Sequence, residues 1–155
     1  NNVYASLEYD MSETKAKKEF GSKEVVNIKS ITAKGRLIKK AVIINIIVDS
    51  IGLCKVPVFT LLKSYDLENE IKLINGLSSL SVTKSHLFDT GEKIAALEKC
   101  FNIKHCQKDI EDKLPDMFFN DDENQGLTRK KFKTMLQEYY IAMGWNKNGI
   151  PPEPV

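Results

Sequence analysis

The sequence predicts an all-α fold, a multihelical domain packed round one core. Apolar residues recur at helical spacing in four segments, whereas the alternation typical of strands is nearly absent. With 42% hydrophobic and 28% charged residues, the composition of the 155-residue chain is close to the globular average. A chain of this length buries roughly two-thirds of the surface that its unfolded form exposes, so it needs no disulfides to form a core.

The first predicted helix covers residues 35–51 and is apolar nearly all round, which indicates a central position in the core. Its β-branched residues, among them Ile43, Ile44 and Ile46, would also suit a buried strand, but the length of the run favours a helix. Gly52 follows at the point where a helix needs a left-handed residue to end.

Three further helices are predicted over residues 67–77, 84–101 and 128–143. In the second of these, Gly91 is small enough to let a neighbouring helix come close. The apolar stripe of that helix consists of Leu87, Gly91, Ile94, Leu97 and Phe101. The apolar face of the last helix consists of Phe132, Met135, Leu136, Tyr139, Tyr140 and Met143. Its opposite, solvent-facing side carries Arg129, Lys130, Lys131, Lys133 and Glu138.

The chain divides into a lead segment, residues 1–30, to which no structure is assigned, and the helical domain, residues 31–155. It starts at Asn1, with neither an initiator Met nor a signal-like apolar stretch. This indicates a processed end or a piece of a longer chain.

Charge and cysteine content exclude several function classes. The net charge of +2 is too small to indicate a nucleic-acid or anionic-membrane partner. The longest apolar run, residues 41–48, is far shorter than the ~20 residues needed to span a bilayer. An odd number of cysteines, Cys54, Cys100 and Cys106, favours a reducing compartment, the cytoplasm.

Two metal-like patterns are incomplete. Residues 121–126 resemble the start of a calcium-binding loop, but Phe132 stands at the twelfth position, where a bidentate Glu is needed. We therefore interpret the segment as an acidic surface loop. Cys100, His105 and Cys106 lack the paired spacing of a zinc site, so we expect a half-buried Cys100 and an ordinary surface His105.

The segment from Asp49 to Lys55 is different, because an acid, a helix-ending glycine and a thiol follow the most apolar helix directly. A carboxylate near the core needs hydrogen-bond donors, and a pterin ring has adjacent N–H groups that suit it. The thiolate of Cys54 would be a soft ligand for iron. A simpler interpretation is also open: Asp49 ends a helix, Gly52 caps it, and Cys54 is a small buried hydrophobe.

Three stretches, in the same order, resemble the tungsten-containing aldehyde ferredoxin oxidoreductase family. The sequence Asp49-x-x-Gly52-Leu53-Cys54 is similar to its second pterin-binding motif, whose Cys is also the last ligand of a 4Fe–4S cluster. Residues 90–102 are similar to its helix G-E-R-I-x-x-L-E-R-x-F-N. Residues 139–151 are similar to its C-terminal signature E-Y-Y-x-x-R-G-W-D-x-N-G-x-P. Within these two stretches, Phe101, Tyr139 and Trp145 are expected to serve core and helix-end packing.

The resemblance implies an oxidoreductase that converts an aldehyde and water to a carboxylic acid, with electrons passing from a tungsten-bispterin centre through the 4Fe–4S cluster to ferredoxin. It further implies that Asp49 anchors one pterin, that Gly52 lets the backbone approach it, and that Leu53 shields it. Cys54 would be the metal ligand in the cluster, and Lys55 would reach anionic groups at the junction.

The resemblance also implies a C-terminal part of a longer enzyme, whose upstream domains hold the other pterin motif, three cluster cysteines and the catalytic residues. We therefore assign no catalytic residue and expect the isolated chain to be inactive. Within the enzyme class, the related tungsten subunits that reduce aromatic acyl-CoA thioesters are a further alternative. The alternative from another class is a cofactor-free helical interaction domain that keeps only the fold.

Two expectations concern the surface at the motif. Cys54 should lie at a turn within reach of Asp49, unpaired with Cys100 or Cys106. The apolar residues that follow it should form an exposed patch where the upstream domains dock, or be covered by self-association as a homodimer. These residues are Val56, Pro57, Val58 and Phe59.

Overall fold

A computed structural model describes residues 11–58, 65–105, 111–119 and 126–152. Within these ranges the chain is helical, with no strand, which confirms the predicted all-α class. The α-helices are α1 Glu13–Phe20, α2 Lys34–Ser50, α3 Glu68–Leu77, α4 Lys84–His105 and α5 Arg129–Met143. Short 3-10 helices cover Lys23–Val26 and Asp116–Phe119. Among the described helices, none has the length and apolar character required to cross a membrane.

All four helices predicted from periodicity are present. The bounds of α2, α3 and α5 agree with the prediction to within one residue. Helix α4 continues past the predicted end at Phe101 to His105, because neither Gly nor Pro interrupts it there. Its last turn contains Lys104 and His105, basic residues that suit the negative end of the helix dipole.

Helix α2 is the centre of the core, as its apolar character predicts. Helices α4 and α5 both pack against it. The amide of Asn45, buried within this helix, donates a 2.8 Å hydrogen bond to the carbonyl of Ala41, so its burial leaves that donor satisfied. The buried apolar side chains of α2 are Leu37, Ala41, Ile43, Ile44, Ile47 and Val48.

Gly91 allows α4 to approach α2 closely, as predicted. A Cβ atom at this position would lie 2.8 Å from Cγ2 of Ile43 and 3.1 Å from Cγ1 of Ile47. Both distances are shorter than ordinary carbon contacts, so a larger residue would force the Ile43 and Ile47 side chains, or the helix itself, to shift. The close contact between α4 and α2 therefore depends on the absence of a side chain at Gly91.

The prediction that Glu138 faces solvent is wrong. The N–H of Gly35 donates to Oε2 of Glu138 at 2.9 Å, and Nε of Arg36 donates to Oε1 at 3.2 Å. The reason is that α2 starts after Ala33, whose side chain provides no capping oxygen. Its unsatisfied N–H groups therefore take an acceptor from α5.

The expectation that Phe101 belongs to the core is also wrong, since the described structure leaves its side chain 64% exposed. Gly91 and Ala95 are the buried residues of α4, and Leu87 packs against the core, so the stripe leaves the core only towards its C-terminal end, where Leu97 is also exposed. The ring of Phe101 lies instead against His105, with ring centroids 4.4 Å apart.

The described part of the lead segment is built into the same core. Ser12 caps α1 by accepting a hydrogen bond from the N–H of Lys15 at 3.2 Å. The residues of this segment that belong to the core cluster are Met11, Ala16, Phe20 and Val25.

Asp66 joins three helices through lysines. Its carboxylate accepts hydrogen bonds from Lys15 of α1 and Lys84 of α4, each at 2.9 Å, and lies 3.4 Å from Nζ of Lys40 of α2. Lys40 also pairs with Glu19. Partial burial of Asp66 acts to raise its pKa, but the two hydrogen bonds and the charge of Lys40 outweigh it and hold the pKa well below its usual value of 3.8.

We expect replacement of Asp66 with asparagine to lower the free energy of unfolding by about 1–2 kcal/mol at pH 7, because a half-exposed network is partly screened by solvent. Since the folded pKa lies below the unfolded one, the contribution is complete above about pH 4 and is lost as the pH falls further. Urea unfolding between pH 2 and 7 measures this, with Asp116→Asn as control.

Asp116 pairs with Arg129 at 2.8 Å in a strongly exposed bridge, so its replacement should change stability by less than about 0.5 kcal/mol. If Asp66→Asn lowers the free energy of unfolding as much at pH 2 as at pH 7, the result would contradict the proposed charge network.

Candidate functional site

The motif segment begins with a helix end built on Gly52. Helix α2 stops at Ser50, and Gly52 takes the left-handed conformation with φ 74°. The N–H of Leu53 donates to the carbonyl of Val48 at 3.1 Å, and that of Gly52 donates to the carbonyl of Asp49 at 3.1 Å. This pair of bonds is the Schellman motif, which brings Asp49 and the residues after Gly52 to one end of the helix.

Asp49 and Lys55 form an ion pair across this turn. Nζ of Lys55 lies 2.6 Å from Oδ2 of Asp49. The Asp49 side chain is 60% exposed, so the pair lies in a largely aqueous setting and adds little stability. A carboxylate can accept about four hydrogen bonds, so this contact leaves Asp49 capacity for another donor.

Cys54 follows the turn as an exposed free thiol. Cys100 is also free and is half-buried, as expected, so the two are not paired with each other. Cys106 lies outside the described residues. Leu53 is half-buried and packs against the hydrophobic core, which fixes the backbone that carries the thiol.

The apolar residues after Cys54 do not form one continuous exposed patch. Val56 is 64% exposed, whereas Val58 is 3% exposed and belongs to the core. Phe59 lies outside the described residues. A small cavity of about 200 Å³ lies beside the thiol, bordered by Leu53, Cys54, Pro57, Val58, Asn69, Glu70 and Leu73.

The turn therefore presents an acceptor, a cation and a soft donor within seven residues of sequence. In the part of the chain that the structure describes, no group of three or more His, Cys, Asp or Glu side chains could hold a metal ion. An exposed thiol is chemically able to act as a soft metal ligand, and a carboxylate is able to accept hydrogen bonds from a ligand with N–H donors.

The C-terminal signature, residues 139–151, contains a second turn that is held by hydrogen bonds and ring contacts. Helix α5 ends at Met143 with Gly144 as its left-handed C-cap, and the N–H of Trp145 donates to the carbonyl of Tyr140 at 2.8 Å. The indole of Trp145 lies against Tyr140, with ring centroids 6.3 Å apart. The side chain of Asn146 then accepts bonds from the N–H groups of Asn148 and Ile150, at 2.9 and 3.1 Å. These contacts make the signature a structural element, as expected for Trp145.

Sequence reasoning missed a polar cluster of three side chains, Lys99, Asp112 and Tyr140. The Tyr140 hydroxyl donates to Oδ2 of Asp112 at 2.6 Å, and Nζ of Lys99 lies 2.9 Å from both carboxylate oxygens. Burial of the phenol, and then its bond to Asp112, raise the pKa of Tyr140 above its usual value. Lys99 and Tyr140 both lie in stretches that resemble the family, residues 90–102 and 139–151, but no local pattern joins either of them to Asp112.

A comparison with known protein families matches residues 5–154 to the family described as aldehyde ferredoxin oxidoreductase, domains 2 & 3. Comparisons with curated proteins and with solved structures gave no match. The family match covers nearly the whole chain and includes all three motifs together with most of the lead segment. The helical fold agrees with the class that the resemblance implied. The chain therefore belongs to the aldehyde ferredoxin oxidoreductase family, in the region described as domains 2 and 3.

Proposed function

We propose that this chain is the C-terminal part of an oxidoreductase that oxidises aldehydes to carboxylic acids and passes the electrons to ferredoxin. In that enzyme it supplies one pterin-binding motif and one ligand of a 4Fe–4S cluster. The observation that carries the proposal is the exposed free thiol of Cys54 directly after the turn that also presents Asp49.

Each side chain of the turn suits one part of the task. A cluster of this type needs four thiolates, and the exposed position of Cys54 lets it complete a set whose other three lie upstream. The carboxylate of Asp49 would accept paired N–H groups of one pterin, where charge-assisted bonds are strong. A Cβ added at Gly52 would meet nothing within 4 Å, so the backbone there is open to a planar ring.

Lys55 and Leu53 are the other two residues of the turn with a role in holding the cofactor. Lys55 lies against Asp49 and would carry positive charge to the anionic groups of the cofactor. Leu53, held by the core, would shield one side of the ring. When bound, the tungsten centre would supply the two-electron oxidation and the cluster the path for electrons towards ferredoxin. This chain's residues would hold, orient and partly desolvate these groups.

The proposed partners are therefore the upstream domains of the same enzyme, ferredoxin and an aldehyde. The upstream domains would cover the end of α2 around Cys54 and Val56, both of which are exposed. An aldehyde would meet catalytic residues that the upstream domains supply.

The test is the variant Cys54→Ser in the complete gene product, purified without oxygen, with Cys100→Ser as the matched control. We expect Cys54→Ser to lose most of the iron, the acid-labile sulfide and the electron paramagnetic resonance signal of the reduced cluster, because a serine oxygen is a poor replacement for a thiolate. Aldehyde-dependent reduction of a viologen dye should fall at least about tenfold.

The control should keep its iron content and activity, since Cys100 borders a different cavity from Cys54, and the two cavities share no lining residue. Full iron content and an unchanged resonance signal in the Cys54 variant would exclude the ligand role.

One observation favours the cofactor-free interaction domain as a second candidate: the carboxylate of Asp49 already has a cationic partner in Lys55, so it needs no ligand to offset its charge. The tungsten, iron and pterin content of the complete gene product, purified without any substitution, separates the two functions. All three present in about stoichiometric amounts would support the enzyme, and their absence would leave the interaction domain.

A further inference from the structure

A cavity of about 760 Å³ lies between the first half of α5 and the start of α2 with the segment before it. Small-molecule sites generally fall between about 300 and 1,000 Å³ and are mostly apolar with a few polar groups. This cavity has that character, and its apolar lining includes Ile31, Ile38, Val42, Leu127, Phe132 and Met135. It shares no residue with the turn at Gly52.

The polar part of the lining carries one sign of charge. Lys29, Lys34 and Lys131 border the cavity, and among its described lining residues there is no Asp or Glu. Nζ of Lys131 donates to the neutral carbonyl of Gly126 at 2.8 Å, which uses one of its three N–H groups. A cleft lined by charges of one sign attracts anions more strongly than a flat surface does, because its low-dielectric walls focus the electric field.

We propose that this cavity binds a small amphipathic carboxylate, with its apolar body against α2 and α5 and its carboxylate at Lys29 and Lys131. The apolar lining provides the hydrophobic contribution, and the lysines select an anionic head over a neutral one. The ligand is a free molecule rather than a membrane lipid, because a cavity of this volume matches the size of small-molecule sites. The proposal does not rest on the proposed enzymatic function.

Isothermal titration calorimetry with octanoate, and with octan-1-ol as the uncharged analogue, tests the site. Octanoate should bind at least about tenfold more tightly than the alcohol, which corresponds to one charge-assisted hydrogen bond. Lys131→Gln should remove most of this preference. Lys133→Gln is the matched control on the same helix, since Lys133 borders a different cavity, and it should leave the affinity within about twofold.

A second variant keeps the test independent of the bond between Lys131 and Gly126. Ile38 is 40% exposed, so Ile38→Trp fills the cavity without crowding the core, and it should weaken both ligands at least about tenfold. Equal affinity for octanoate and octan-1-ol, no measurable octanoate binding, or unchanged binding in Ile38→Trp would each overturn the proposal. Sedimentation with phosphatidylglycerol vesicles should leave the protein in the supernatant, and binding to vesicles without binding to octanoate would also overturn it.

Discussion

Replacement of Gly35 with alanine is expected to lower the free energy of unfolding by more than about 3 kcal/mol. A Cβ atom at this position would lie 2.7 Å from both the carbonyl carbon of Glu138 and the carbonyl oxygen of Met135, and closer still to the nitrogen of Tyr139. All three are backbone atoms of α5, so no side-chain rotation relieves the contact, and α2 and α5 have to separate. Separation also breaks the hydrogen bond from Gly35 to Glu138, which adds about 1 kcal/mol to the loss.

The measurement is urea unfolding of the purified protein followed by circular dichroism, with Gly76→Ala as the matched control. Gly76 is also a helical glycine, in α3, but a Cβ there would meet nothing within 4 Å. Alanine has the higher helix propensity, so the control should be unchanged or more stable by up to about 1 kcal/mol. If both variants lose stability equally, the loss comes from something other than contact between α2 and α5.

The contrast between Gly91 and Gly35 shows what the sequence could predict. Gly91 stands inside an apolar stripe of helical period, so close packing on its face followed from local pattern. Gly35 stands at a helix start, where a glycine has many explanations, and its partners are about a hundred residues away. The acceptor role of Glu138 was hidden for the same reason, because charge at a helical position usually indicates solvent.

The candidate site likewise has a local part that the sequence could predict and a tertiary part that it could not. The turn at Gly52 rests on bonds between residues only a few positions apart, so the sequence could predict it and the proximity of Asp49 to the residues after it. Tyr140 and Asp112 are joined across 28 residues, and the cavity beside Lys131 depends on two distant helices. Such contacts arise from tertiary packing, which periodicity does not encode.

Gly149→Ala is expected to cost about 2–3 kcal/mol of unfolding free energy, from two additive causes. Gly149 has φ 72°, a conformation that is strained by about 1–2 kcal/mol for alanine. A Cβ atom would also lie 2.7 Å from the hydroxyl oxygen and Cε1 of Tyr140. The ring cannot yield freely, because it is 4% exposed, stacks on Trp145 and donates to Asp112.

Gly144→Ala separates the two causes. Gly144 has nearly the same φ, 71°, but a Cβ there would meet nothing within 4 Å, so only the backbone strain applies. It should therefore cost about 1–2 kcal/mol, and the excess for Gly149→Ala measures the contact with Tyr140. Displacement of the ring also weakens its bond to Asp112, so phenol absorbance on alkaline titration should show the pKa of Tyr140 falling towards its usual value only in Gly149→Ala. Equal losses in the two variants, with unchanged phenol titration, would mean that the signature turn does not hold Tyr140 in place.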